Sequence, residues 1–153
     1  MVKDEPDTAV ELRARALRLL ARREHSRQEL ARKLSPRAES SGALNALLDS
    51  LEEKKQLSNE RFAFERTRVL SRKYGAARIR HDLRSKGVSD EFVELAFRSA
   101  SECELERGKQ MLQKKFPVPA ANLNERARRM RFLQSRGFSS EVIYSLLSSR
   151  DAG

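Results

Sequence analysis

Two segments, KGVSDEFVELAF (86–97) and RGFSSEVIYSLL (136–147), carry one pattern at an offset of 50 residues. Each opens on a basic residue, a glycine, an apolar residue and a serine, then runs into an apolar-rich stretch. A second pair, SRQELARKL (26–34) and GAARIRHDL (75–83), places Leu30 and Leu34 on Ile79 and Leu83. This repetition constrains the fold more than any other feature. Units of this size bury too little surface to be stable alone, so they must stack side by side.

The units are helical. Leu12, Ala16, Leu19 and Leu20 form one stripe, Leu44, Leu47, Leu48 and Leu51 another, and Val69 and Leu70 follow Phe62 and Ala63 at the same period. No stretch alternates with period two over a strand's length. Ser26 and Glu29 form a capping box that starts a helix ending at Ser35-Pro36. Ser58 precedes a helix expected to reach Tyr74, with Gly75 as its stop. Ser89 caps a helix holding Phe92, Leu95 and Ala96, and Pro117 and Pro119 break the chain after Phe116. Gly137 closes another helix and Ser139 opens the last. The expected fold is all-α, with about nine helices in three tandem three-helix repeats forming an elongated, curved, solenoid-like body. A disordered tail is expected over 1–8, with repeats over 9–57, 58–101 and 102–150.

Charge bounds the partners. Lys and Arg total 32 against 22 Asp and Glu, a formal net charge of +10. Such an excess favours nucleic acid, an anionic membrane or an acidic protein surface. Arginines outnumber lysines, and their planar donors can grip two oxygens at once. The charge is also segregated. Residues 61–86 hold nine Lys/Arg and two acids, residues 87–106 one Arg and six acids, and residues 107–136 nine Lys/Arg and one acid.

Within the second repeat, Ile79 and Leu83 anchor the helix 76–86, leaving Arg80 and Arg84 on one flank and Arg78 on the other. Arg72, Lys73 and Lys86 stand at its boundaries. In the third repeat, ARRMRFLQSRGF (127–138) turns Met130 and Leu133 inward and projects Arg128, Arg131 and Arg136. These nine residues are the candidate contacts for phosphates or acidic side chains. Helix, turn and helix over 76–97 resemble a helix-turn-helix, but the acidic start of DEFVELAF would repel a DNA groove, so base-specific readout is not expected.

Other chemistry finds little support. Cys103 alone closes no intrachain disulfide, fits a reducing compartment and reads as a plain helix residue. His25 and His81 have no metal-ligand spacing and are expected at the surface. No phosphate loop, hydrolase elbow, metalloprotease motif or paired-carboxylate arrangement is present. No catalytic residue, metal or cofactor is therefore expected. Phe62, Phe92, Phe97 and Phe132 fall at core spacing; Tyr74 is the one candidate for an exposed stacking residue near the basic helix, with core packing the favoured reading. No secretory h-region or apolar run of spanning length is visible.

Several segments together resemble the RecX family, the bacterial regulators of the RecA recombinase. They are ALRLLARREHSRQELARKL (16–34), with Arg23 and the S-x-x-E-L motif, LSNERFAFERTRV (57–69), YGAARIRHDLRSKGVS (74–89) and RFLQSRGFSSEVI (131–143). The likeness runs from about Leu12 to Leu147. It departs at Ser58-Asn59, where the family often carries an acidic pair. The resemblance implies a cytoplasmic, non-enzymatic modulator that binds the RecA filament on single-stranded DNA. It would depress strand exchange, ATP hydrolysis and co-protease activity in recombination, repair and the SOS response. Double-stranded DNA is a second candidate ligand, a monomer is expected, and no membrane partner is implied. The alternative is a general basic nucleic-acid-binding protein with no dedicated protein partner.

Overall fold

A computed structural model of the chain describes residues 5–151. Among them are nine α-helices, α1 (Ala9–Arg22), α2 (Arg27–Leu34), α3 (Ser41–Glu53), α4 (Asn59–Leu70), α5 (Ala76–Ser85), α6 (Asp90–Glu102), α7 (Glu104–Lys115), α8 (Leu123–Ser135) and α9 (Ser140–Asp151). A single 3-10 turn, Ser35–Arg37, holds Pro36 and follows α2.

Three apolar clusters lie in series, one per helix triplet. Leu12, Ala16, Leu30, Leu34, Leu48 and Leu51 belong to the first, Phe62, Ile79, Leu83 and Val93 to the second, and Leu112, Leu133, Phe138 and Ile143 to the third. Leu30, Leu34, Ile79 and Leu83 are all fully buried, so the repeat anchors read from sequence do the same packing work in successive units. The accessible surface is 9970 Å². A compact protein of 17.5 kDa exposes about 7,900 Å², so three small cores in a row leave an extended body.

The joints between repeats recur with the same offset of 50 residues. Gln28 on α2 donates from Nε2 to the Ser85 carbonyl (3.1 Å), just before Gly87, whose φ is +77°. Arg78 on α5 donates from Nη1 to the Ser135 carbonyl (3.1 Å), just before Gly137, whose φ is +86°. The first helical N–H of the middle helix in repeats one and two is satisfied from the next repeat: Arg27 N–H by Asn59 Oδ1 (2.8 Å) and Ala76 N–H by Glu104 Oε1 (3.2 Å). These two helices therefore complete their N-terminal hydrogen bonding only when the next repeat is docked. Asn59, one of the two residues that depart from the family pattern, supplies such a bond.

Several local expectations change. The helix after Ser58 ends at Leu70 rather than Tyr74. Gly75 is the extended N-cap of α5, with φ −80°. Its N–H donates to the Arg136 carbonyl at 2.7 Å, and an added Cβ would lie 2.6 Å from the Gly137 oxygen. Backbone approaches backbone there, so glycine is demanded by space between repeats two and three rather than by helix termination. Cys103 is exposed at the break between α6 and α7, not inside a helix. Met130 is exposed, and Arg129 takes the inward position one turn before Leu133, its guanidinium 5.0 Å from the Phe116 ring centroid. Val69 is exposed as well.

His25 is buried rather than superficial. Its Nδ1 lies 3.0 Å from the Arg23 carbonyl and its Nε2 2.9 Å from Lys33 Nζ. A neutral ring donating from Nδ1 and accepting the ammonium proton at Nε2 satisfies both contacts. Burial lowers its pKa below 6.5, in keeping with that form. Residues 1–4 of the expected tail lie outside the described residues. Asp7 and Thr8 are built into the fold. Asp7 is buried against Arg15 (2.8 Å) and Arg37 (2.9 Å), whose hydrogen bonds lower its pKa to about 2. Thr8 and Glu11 form a capping box on α1. The T-x-x-E signal is local and legible, but the ion pair depends on Arg37, thirty residues away.

Candidate nucleic-acid interface

The nine basic residues selected from sequence do not form one surface. On α5, Arg80 donates from Nη2 to Glu94 of α6 (3.0 Å), and its guanidinium carbon lies 3.5 Å from the Phe97 ring centroid. Arg84 faces Glu94 (3.5 Å) and Asp90 (3.9 Å). The acidic block that follows α5 in sequence thus folds back and neutralises that flank. Arg78 is held at the joint by the Ser135 carbonyl and lies 4.7 Å over the Tyr74 ring. Lys86 is the half-buried C-cap of α5.

Arg72, Lys73 and Arg136 come together in a different place. Arg72 and Lys73 lie in the turn after α4, and Arg136 caps α8. With Lys114 and Lys115 from the last turn of α7, and with Met111 and Phe132, they line a hollow of about 370 Å³ between repeats two and three. A second hollow of about 320 Å³, lined by Ser71, Arg72, Arg107, Gln110, Met111 and Lys114, adjoins it through shared walls. Six cations line the two hollows and no carboxylate does. Cationic heads rest over aromatic faces there: Arg136 is 5.3 Å from the Phe132 centroid and 5.8 Å from that of Tyr74, and Lys115 is 5.8 Å from Phe132. Arg128 and Arg131 are exposed on α8 but do not line the cleft, although Arg128 stands one turn before Phe132.

The joint holds this arrangement. The Gly75–Gly137 contact sets α4's end beside α8, and the Phe116–Phe132 edge-to-face pair (5.7 Å) fixes the end of α7 against α8. Such a cleft can hold phosphate oxygens by charge while leaving an aromatic edge for a base. Lys114, Lys115 and Arg107 are absent from the set chosen by sequence. The Lys-Lys pair before Phe116-Pro117 was the one available signal, and it reads equally as charge complementing a helix C-terminus. Phe132 was legible only as a core residue.

Comparison with known proteins agrees with the fold. Descriptions of the RecX second and third three-helix domains match residues 58–96 and 102–147. The chain is 41% identical over 140 residues to the regulatory protein RecX of Leptothrix cholodnii, covering 92% of this chain and 89% of that one. It is 40% identical over 147 residues to the regulatory protein RecX of Ralstonia nicotianae, covering 96% and 92%. The crystal structure of RecX from Lactobacillus salivarius superposes with a TM-score of 0.80 at 18% identity, over 95% of this chain and 97% of that one. A second crystal structure of a regulatory protein RecX gives 0.74 at 19% identity, over 92% and 74%. Two family descriptions in order, near-full-length relatives at about two-fifths identity and a shared helical-repeat fold place the chain in the RecX family of regulatory proteins.

Proposed function

We propose that this protein modulates RecA by binding its filament on single-stranded DNA, and that the cleft between repeats two and three holds the strand's phosphates. The observation that carries the site is the gathering of six cations with no acid around one concave surface. Family membership supplies the partner. Arg72, Lys73, Lys114, Lys115 and Arg136 meet phosphate oxygens, and Phe132 offers an apolar edge to a base. Arg80 and Arg84 hold α5 to α6, and Arg78 fixes the joint. Arg128 and Arg131, exposed on the same helix as Phe132, extend the positive field along α8. Regulation then needs no chemistry from this chain: occupation of the strand and of adjoining RecA surface is enough to depress ATP hydrolysis and strand exchange.

The test is RecA-dependent ATP hydrolysis on single-stranded DNA with the Arg72/Lys114/Arg136→Ala variant. Loss of inhibition with helicity unchanged is expected; full inhibition removes the cleft from the mechanism. Retention of RecA on the wild-type protein without DNA, at salt that suppresses phosphate contacts, separates a dedicated regulator from a general nucleic-acid binder.

A further inference from the structure

Arg107 carries hydrogen-bonding groups that the fold does not satisfy. Its Nη1 donates to the Ala100 carbonyl at 2.6 Å. Its Nε and Nη2 are shut off from solvent and have no hydrogen-bond partner. Glu104, one turn away and buried, favours the charge through its field, but its Oε1 accepts from the Ala76 N–H at the start of α5. Burial still disfavours the charged guanidinium. A half-buried guanidinium with two N–H-bearing nitrogens unsatisfied is costly, and an apolar replacement at such a place is often neutral or stabilising. The same side chain lines the smaller hollow of the cleft, with Arg72, Lys114, Ser71 and Gln110 around it.

We infer that Arg107, Arg72 and Lys114 form a discrete phosphate pocket, in which a bound phosphate group accepts from the N–H groups that the fold leaves unsatisfied on Arg107. A rotation of the guanidinium about its own torsions turns the unsatisfied N–H groups into the hollow. Three cations approaching from α7 and from the turn after α4 surround a multivalent tetrahedral anion better than a planar monovalent carboxylate. The pocket opens into the Phe132 hollow through Arg72, Met111 and Lys114. It therefore deepens the strand-binding reading and rests on it for the identity of a natural ligand. A phosphodiester of the strand and a free phosphate share the chemistry.

Thermal unfolding and titration calorimetry at matched ionic strength test the pocket, using the full chain, Arg107→Met and Arg107→Lys. The probes are inorganic pyrophosphate and an oligothymidylate without terminal phosphates. Arg107→Met is expected to melt at the same temperature as wild type or higher without anion. It is also expected to bind pyrophosphate at least about ten-fold more weakly, the scale of one charge-assisted hydrogen bond. Arg107→Lys falls between the two. A parallel loss for the oligonucleotide identifies a strand phosphodiester as the ligand, and a loss for pyrophosphate alone identifies a free phosphate. Equal pyrophosphate affinity in wild type and Arg107→Met overturns the pocket. So does a lower melting temperature for both Arg107 variants without anion. If the pocket fails while the Arg72/Lys114/Arg136→Ala variant still loses RecA inhibition, the strand-binding reading stands alone.

Discussion

The arginine-rich helix α5 and the cleft between repeats two and three are both strongly basic in sequence, and they do opposite things with their charge. On α5, Arg80 and Arg84 are answered by Asp90 and Glu94 of α6. In the cleft, Arg72, Lys73, Lys114, Lys115 and Arg136 converge from three separate segments with no acid among the lining residues. The density of arginines along a chain thus says little about where positive potential survives folding. What matters is whether the next helix to pack carries acids.

The joint between repeats two and three is the most sensitive place to separate the two regions. Gly137→Val places a branched side chain at φ +86°, where a Cβ would lie 2.5 Å from Arg78 Cβ and 2.9 Å from its backbone N. A stability loss of about 3 kcal/mol or more in urea denaturation is expected, together with loss of strand binding. Next in size is Arg72/Lys114/Arg136→Ala. If each residue meets one phosphate, the slope of log affinity against log salt on single strands flattens by about 2. Fluorescence anisotropy across a salt series measures it.

Arg80/Arg84→Ala should behave in the reverse way. Partly exposed ion pairs and one cation–π contact together give about 1 kcal/mol of destabilisation, while strand affinity changes by less than about two-fold. Similar binding losses from the α5 and cleft variants would erase the distinction.

The smallest effect belongs to His25, in the first repeat. Its folded-state pKa is lowered by burial, so the unfolded chain takes up a proton first as pH falls through about 6.5. Stability should therefore decline below that pH, because burial and the nearby Arg23 and Lys33 charges disfavour a protonated ring more than the Arg23 carbonyl and Glu29 favour it. Denaturation midpoints at pH 7.5 and about 5.5 should converge in His25→Gln.

Much of this was legible in the sequence for a physical reason: helix signals are local. The Ser26–Glu29 capping box, the left-handed Gly87 and Gly137 and the Leu30/Leu34 and Ile79/Leu83 anchors all act within a few residues of themselves. The 50-residue echo then dictated stacking, since one such unit cannot close its own core. The sequence therefore determined an all-α repeat and its family. Tertiary structure alone decided which cations stay open, that Gly75 serves an interhelical contact, and that Glu104 bonds the Ala76 N–H rather than Arg107. Those outcomes depend on residues 14 to 62 positions apart, from Arg80–Glu94 to the Gly75–Gly137 approach. Their pairing is fixed by the angles at which helices and repeats meet, and no local periodicity encodes those angles.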